Sequence, residues 1–346
     1  MEIKNVLITG SNGYIGWMLS DLLCAKKFNV LGLDTFFYKN SFVSFKKQPF
    51  KTLNKDLRFI TESDLKNIDA IVHLAALSND PLGELLPSAT YDINYKATVR
   101  LAKLAKKNGV KRFIFSSSCS IYGAKNDITV SEKSAIRPIT AYAKSKILAE
   151  KALTKIADES FHIIIMRNST VYGFSPKLRS DIVVNNLVAS AIAFNSLNIF
   201  SDGKPWRALI DVRDLCEIIY QFLTTKKNIR SGSVYNVGFM ENNIQVKNIV
   251  SCITKVLNSC KATYQNRYDK KYDLSYKVNF SKFHQDFPEI KQKWPLARSI
   301  RNLILNLKKS RFGEQIFASG ILNRTSVVKR LCEENKLDSN LYWIKE

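Results

Sequence analysis

Thr9-Gly10-Ser11-Asn12-Gly13-Tyr14-Ile15-Gly16 decides the fold. These residues follow the apolar run Val6–Thr9, which reads as a buried strand, and open the helical pattern Tyr14–Lys26. A strand that turns through three spaced glycines into a helix is the arrangement a phosphate-binding turn requires. Gly10 permits the tight turn, Gly13 admits a diphosphate close to the backbone, and Gly16 lets the helix lie against the sheet. The start of that helix offers unpaired amide hydrogens at the positive end of its dipole, which suits phosphate. The next apolar run, Asn29–Asp34, ends in an acid about 20 residues on, where a carboxylate can accept from both hydroxyls of an adenosine ribose. The same charge repels a 2′-phosphate, so Asp34 favours NAD over NADP.

Farther out, short apolar strands keep alternating with helical patterns. Strands are expected at Ala70–Leu74, Arg112–Ser116 and His162–Arg167. Helices are expected at Thr90–Asn108, closed by Gly109, and at Ala141–Ala157. This alternation argues for an α/β fold, a doubly wound parallel sheet of Rossmann type. After Gly173 the texture changes to a Ser175-Pro176 loop, a helix near Ile182–Phe194, and a strand end leading into a helix over Leu209–Thr224. Ser233–Val237 reads as one more strand, and the chain from Phe239 on is helix-rich, with strand and loop in Lys261–Phe280. The expected division is an NAD-binding domain of residues 1–173, joined again by 208–238, and a smaller, mostly helical substrate lobe of 174–207 and 239–346.

The chain has 346 residues, 45% of them hydrophobic, enough for a large core. No apolar stretch approaches the roughly 20 residues of a membrane helix, and the N-terminus runs straight into a strand, so a cytoplasmic protein is expected. The six cysteines form no C-x-x-C pair and no zinc spacing with histidine, so they read as reduced thiols and no metal is expected. The net charge of +23 is densest around Lys261–Arg311. It shows no aromatic interleaving of the kind single-strand binders use, so it reads as solvated lysine and not as a nucleic-acid site.

Two further motifs carry chemistry. Tyr142 and Lys146, in Tyr142-Ala-Lys-Ser-Lys146, fall on one face of a helix at i and i+4. An ammonium beside a phenol favours the phenolate, and a tyrosine tuned in this way can exchange a proton with a sugar hydroxyl while hydride moves at the carbon. Ser116-Ser117-Ser118-Cys119-Ser120 leaves a strand in the same half. Its serines stand at the carboxyl end of a parallel strand, where ligands of such folds bind.

Together these motifs resemble the extended short-chain dehydrogenase/reductase family, the NAD-dependent nucleotide-sugar epimerases and dehydratases. The resemblance covers roughly residues 3–240. It implies that Tyr142 is the acid/base, Lys146 its electrostatic partner and Ser118 the hydroxyl that orients substrate. It implies cofactor contacts along the turn (Gly10, Asn12, Gly13, Tyr14, Ile15, Gly16), at Asp34, at Asp56-Leu57 beside the adenine, at Leu74-Ala75-Ala76, and at Asn94, Ser116, Tyr142 and Lys146. Arg207, in Gly203-Lys-Pro-Trp-Arg207, is similar to the arginine that binds a substrate diphosphate. Ser118, Cys119, Ser120, Thr170, Arg179 and Asn185 complete the expected contacts to a nucleotide-diphosphate sugar. A homodimer through the helices near 90–107 and 141–157 is also implied.

The departures from the family pattern narrow the reaction. Family dehydratases carry Asp-Glu just after the catalytic serine or threonine, where Cys119 and Ser120 stand here. A 4,6-dehydration is therefore disfavoured. The 3,5-epimerases place a cysteine two residues after that serine, not one, and Cys119 has no evident partner to lower its pKa. Thr170 stands where many relatives have asparagine, and His73, inside an apolar strand, reads as structural. The leading expectation is an epimerase that transiently oxidises a sugar carbon, commonly C4, with bound NAD. The alternatives are a nucleotide-sugar dehydrogenase or 4-ketoreductase using the same residues, and more remotely a non-catalytic dinucleotide-binding protein.

Overall fold

A computed structural model describes residues 3–44, 48–123, 128–265, 275–310 and 312–344. Its centre is a parallel sheet of seven strands, ordered in space Ser233–Val237, His162–Asn168, Arg112–Ser118, Ala70–His73, Asn5–Thr9, Asn29–Asp34 and Lys51–Asn54. The interior strands are buried along nearly their whole length, as parallel strands covered on both faces must be. One apolar cluster lies on the face carrying Val6, Ile8, Val72 and Ile164, and a second on the face carrying Leu7, Ile71, Phe113 and Ile163. The alternation of odd and even residues between the two clusters is the two-residue period of the strands.

Two helices position the site. Tyr14–Ala25 runs from the glycine turn. Ala141–Ile156 starts at Thr140, whose hydroxyl accepts from the Ala143 amide at 3.1 Å. The expected single helix over Thr90–Asn108 is instead three pieces: Pro87–Tyr91, a π-helical turn over Asp92–Lys96, and Ala97–Lys107. The wide turn carries Asn94, whose bonds hold it in place, and such turns concentrate at functional sites.

The second half departs further from expectation. Trp206–Asp211 joins Thr170–Tyr172 and Asn243–Gln245 in a separate three-stranded sheet. Ser196–Ile199 pairs with Lys261–Tyr264, and Ile128–Val130 with Tyr276–Val278. None of these short strands was expected except the end of Trp206–Asp211 and a strand within Lys261–Phe280, where residues 266–274 lie outside the described residues. The final segment, expected in the substrate lobe, packs on the N-terminal half. Val328, Leu337 and Leu341 bury themselves with Phe37, Leu77 and Leu82. Arg58 donates to the Asn340 and Leu341 carbonyls, and the Trp343 indole donates to the Thr35 carbonyl at 2.8 Å. Among the described residues, no helix is long and apolar enough to cross a membrane.

Candidate active site

The reversal in strand order, between Asn5–Thr9 and Ala70–His73, opens a cleft at the strands' carboxyl ends. Its cavity of about 410 Å³ runs from Asp34 and Asp56 to Ser118, Tyr142 and Arg207.

The glycine turn forms one wall. Gly10 has φ +74°, and a Cβ there would meet the Ala75 backbone at 2.9 Å. A Cβ on Gly16 would lie 2.0 Å from the Gly10 carbonyl oxygen, so the helix can lie this close only without a side chain. No side chain caps the helix Tyr14–Ala25, and Tyr14, Ile15 and Gly16 at its start line the cleft. Asp34 accepts from the Asn12 and Phe36 backbone amides at 2.9 and 2.8 Å. Burial raises its pKa, and those two hydrogen bonds work against the rise. Asp56 caps the short turn Leu57–Phe59 and takes Arg58 Nη2 at 2.6 Å. Leu57, Leu74, Ala75 and Ala76 complete this end. A cradle that a Cβ would fill, an uncapped helix start and a fixed carboxylate fit a nicotinamide dinucleotide.

Ser116, Ser118, Tyr142 and Lys146 line the other end. Ser118 closes its strand, donates to Ser120 Oγ at 3.0 Å and shares a hydrogen bond with the Tyr142 hydroxyl. Tyr142 is held from below by a short helix, Asp80–Leu85. The Thr140 hydroxyl bonds Asp80, the Ala141 amide donates to Glu84 at 2.7 Å, and a Cβ on Gly83 would approach Tyr142 Cβ to 3.0 Å. Lys146 Nζ donates to the Ser116 carbonyl at 2.7 Å. Burial pushes the Tyr142 phenol up to about 12, offset in part by Ser118, and pulls the Lys146 ammonium down to about 7. This corrects the expectation of a phenol simply lowered by its lysine. Both groups are buried, Nζ stands 5.9 Å from the Tyr142 ring centre, and desolvation is the largest cause of each shift.

Four expected contact residues stand off the cleft wall. Asn12 acts through its backbone amide on Asp34. Asn94 accepts from the Leu77 amide at 2.9 Å and donates to the Leu77 carbonyl and Ser145, so it ties the Ala75–Leu77 loop to the tyrosine helix. Cys119 starts a tight turn that aims its thiol away from the cleft and toward the Arg167 carbonyl at 3.2 Å, and burial pushes its pKa up. Asn185 is fully buried, accepting from the Gly173 amide and donating to the Tyr14 hydroxyl. Thr170, Ser120, Arg179 and Arg207 do line the cleft. Arg179 is already paired with Asp181 at 2.8 Å and donates to Ser78, and Arg207 donates to the Trp206 carbonyl at 2.9 Å.

His73 is structural in detail. The Thr98 hydroxyl donates to the Asn94 carbonyl, so it accepts from His73 Nε2, and His73 Nδ1 is left to accept from Thr9 Oγ1 at 2.6 Å. The ring is therefore neutral, and burial lowers its pKa to about 3. Below the serine strand, Glu150 pairs with Arg167 at 2.8 Å and takes the Ser117 hydroxyl, while Arg167 reaches Tyr122 and Tyr122 donates to Asn236. The sequence reading missed Asp80, Asp181 and Arg324, which line the cleft. Asp80 follows the His73–Ala76 motif closely and could have been found by extending it. Arg324 has no local signal.

The sequence profile of the NAD dependent epimerase/dehydratase family matches residues 6–238. An uncharacterised UDP-glucose epimerase, YtcB, of Bacillus subtilis (strain 168) is 32% identical over 267 residues, covering 72% of this chain and 81% of that protein. Solved structures with the same fold include a novel NAD-dependent NDP-hexosamine 5,6-dehydratase, TunA, of tunicamycin biosynthesis. Its TM-score is 0.78 at 23% identity, covering 88% of this chain and 98% of that one. Another is UDP-glucuronic acid 4-epimerase from Bacillus cereus in complex with UDP-glucuronic acid and NAD, with a TM-score of 0.75 at 24% identity. It covers 88% of this chain and 99% of that one.

Proposed function

We propose that this chain, which belongs to the NAD-dependent epimerase/dehydratase family, is a nucleotide-sugar epimerase that inverts C4 through a transient keto sugar. The observation that carries this reading is one cleft with a dinucleotide cradle at one end and the Ser118–Tyr142–Lys146 set at the other. Bound NAD would supply a reversible hydride acceptor at the sugar carbon. Gly10, Tyr14, Ile15 and Gly16 would hold its diphosphate, Asp34 its adenosine ribose and Asp56-Leu57 its adenine.

Ser118 orients the reacting hydroxyl. Tyr142 takes that proton when the sugar carbon is oxidised and returns it when the ketone is reduced. Lys146, held by the Ser116 carbonyl, sets its amine on the same helix face as the phenol. Arg207 and Thr170 face a nucleotide-diphosphate sugar, which the segments after Gly173 enclose as a substrate lobe. Cys119 takes no part, because its thiol is buried away from the cleft. A homodimer through the helices near 90–107 and 141–157 accompanies this reading, supported by the exposed Leu148 on the second.

The test is to denature the purified chain, assay released NAD(H), and run its nucleotide-sugar reaction in deuterated water. An epimerase recycles one held cofactor, so near-stoichiometric NAD(H) and an unlabelled C4 product are expected. Turnover that depends on added cofactor would replace this reading with a dehydrogenase or reductase.

A further inference from the structure

Arg324 is the first residue of the C-terminal helix Arg324–Glu333, nearly 300 positions from the ribose-side Asp34, yet it lines the same cleft. It is 3% exposed. Its guanidinium lies 4.3 Å from the Tyr38 ring centre, and Nη2 donates to the Lys177 carbonyl at 3.0 Å. Nη1 is buried without a hydrogen-bond partner. A buried charged donor left unpaired is costly, and native structures rarely keep one without a ligand to satisfy it.

The neighbouring carboxylates do not offer Nη1 a bond. Asp34 is held by two backbone amides, and Asp181 is taken by Arg179 and Asn79. Lys177 turns its ammonium to the Tyr38 and Lys39 carbonyls. Arg179, Lys177 and Arg324 together exceed Asp34 and Asp181 by one positive charge. Burial, and then the like charge of Arg179, pulls Arg324 down to about 10 against the opposing pull of Tyr38, Asp181 and Asp34. A phosphate would relieve both the orphaned donor and the excess charge.

We infer that Arg324 is a phosphate-binding residue of the dinucleotide site, closing from the C-terminal helix on the diphosphate that the glycine turn holds from the other side. This rests on reading the cleft as a dinucleotide site. The adenosine half is the source favoured by position, since Arg324 lies beside Asp34 and Tyr38. A 2′-phosphate would crowd the Asp34 carboxylate. The diphosphate of a nucleotide sugar would have to reach past Arg179.

The test is calorimetric titration of the full-length chain and its R324Q variant, each first stripped of the NAD(H) it holds, with ADP, adenosine, adenosine 2′-monophosphate and UDP. The expected result is a loss on the order of tenfold to a hundredfold for ADP, with adenosine and UDP unchanged. Unchanged ADP affinity overturns the inference. Equal losses for adenosine and ADP overturn it in favour of a structural role. Losses confined to UDP or to adenosine 2′-monophosphate overturn it in favour of those phosphates. If R324Q does not fold, R324K carries the same prediction with a smaller ADP loss, and wild-type ADP affinity in R324K overturns it. A wild-type chain that binds none of the adenine compounds defeats the dinucleotide reading itself.

Discussion

The two ends of the cleft are built differently. The cofactor end is mostly backbone: glycines without side chains, amides at a helix start, and a carboxylate fixed by two more amides. The substrate end is side chains on separate segments, with Thr170, Arg179 and Arg207 projecting from different loops and strands. Backbone geometry over eight residues is a rigid, local device, whereas dispersed side chains can be exchanged without disturbing the sheet. Damage to the sheet beneath the cleft should therefore cost the whole fold, and damage to the dispersed side chains that line the second end only ligand affinity.

The largest effect should come from the buried pair below the serine strand. Glu150 and Arg167 are 3% and 5% exposed, and Glu150 also holds Ser117. Glu150→Ala strands the guanidinium and should lower unfolding free energy by about 3–5 kcal/mol, read by chemical denaturation. A loss within experimental scatter would show that the scaffold does not lean on this pair.

His73 supplies a smaller effect with a defined pH window. Its ring is neutral in the fold with a pKa near 3, and it would charge near 6.5 when unfolded. The unfolded chain thus binds more protons between those values, and stability falls as pH drops through that range. From pH 6.5 to 5 this term alone amounts to about 1.6 kcal/mol. A pH series of denaturation curves should show that slope flattened in His73→Gln, and an identical slope in both proteins would contradict the assignment. Smallest is Arg207→Met. Its side chain is half-buried at the substrate end, so the variant should weaken a nucleotide diphosphate by about 1 kcal/mol and leave NAD retention and melting temperature alone. A fall in NAD retention would blur the distinction between the two ends.

The same contrast explains what the sequence made legible. Gly10, Gly16, Asp34, Tyr142 and Lys146 sit in short motifs whose spacing is set by one turn or one helix, so they could be read in order. Asn94 was recognisable as a residue but not in its role, because a π-helical turn redirects it to the Leu77 backbone. Cys119 follows Ser118 directly, yet the strand ends there and the tight turn aims the thiol inward. Lys177 and Arg324 meet Asp34 only through tertiary folding, and nothing near them in the chain marks that meeting. The return of residues 324–344 to the N-terminal half was hidden for the same reason, since a short amphipathic helix does not disclose which surface it will cover.

The central claim is that the cleft performs redox chemistry with Tyr142 as its proton carrier, separately from holding the cofactor. It is tested most directly by purifying Tyr142→Phe and measuring, in one preparation, the NAD(H) released on denaturation and the turnover of a nucleotide sugar that the wild type converts. The account predicts wild-type NAD(H) content with turnover abolished, and a variant that turns over at the wild-type rate would contradict it.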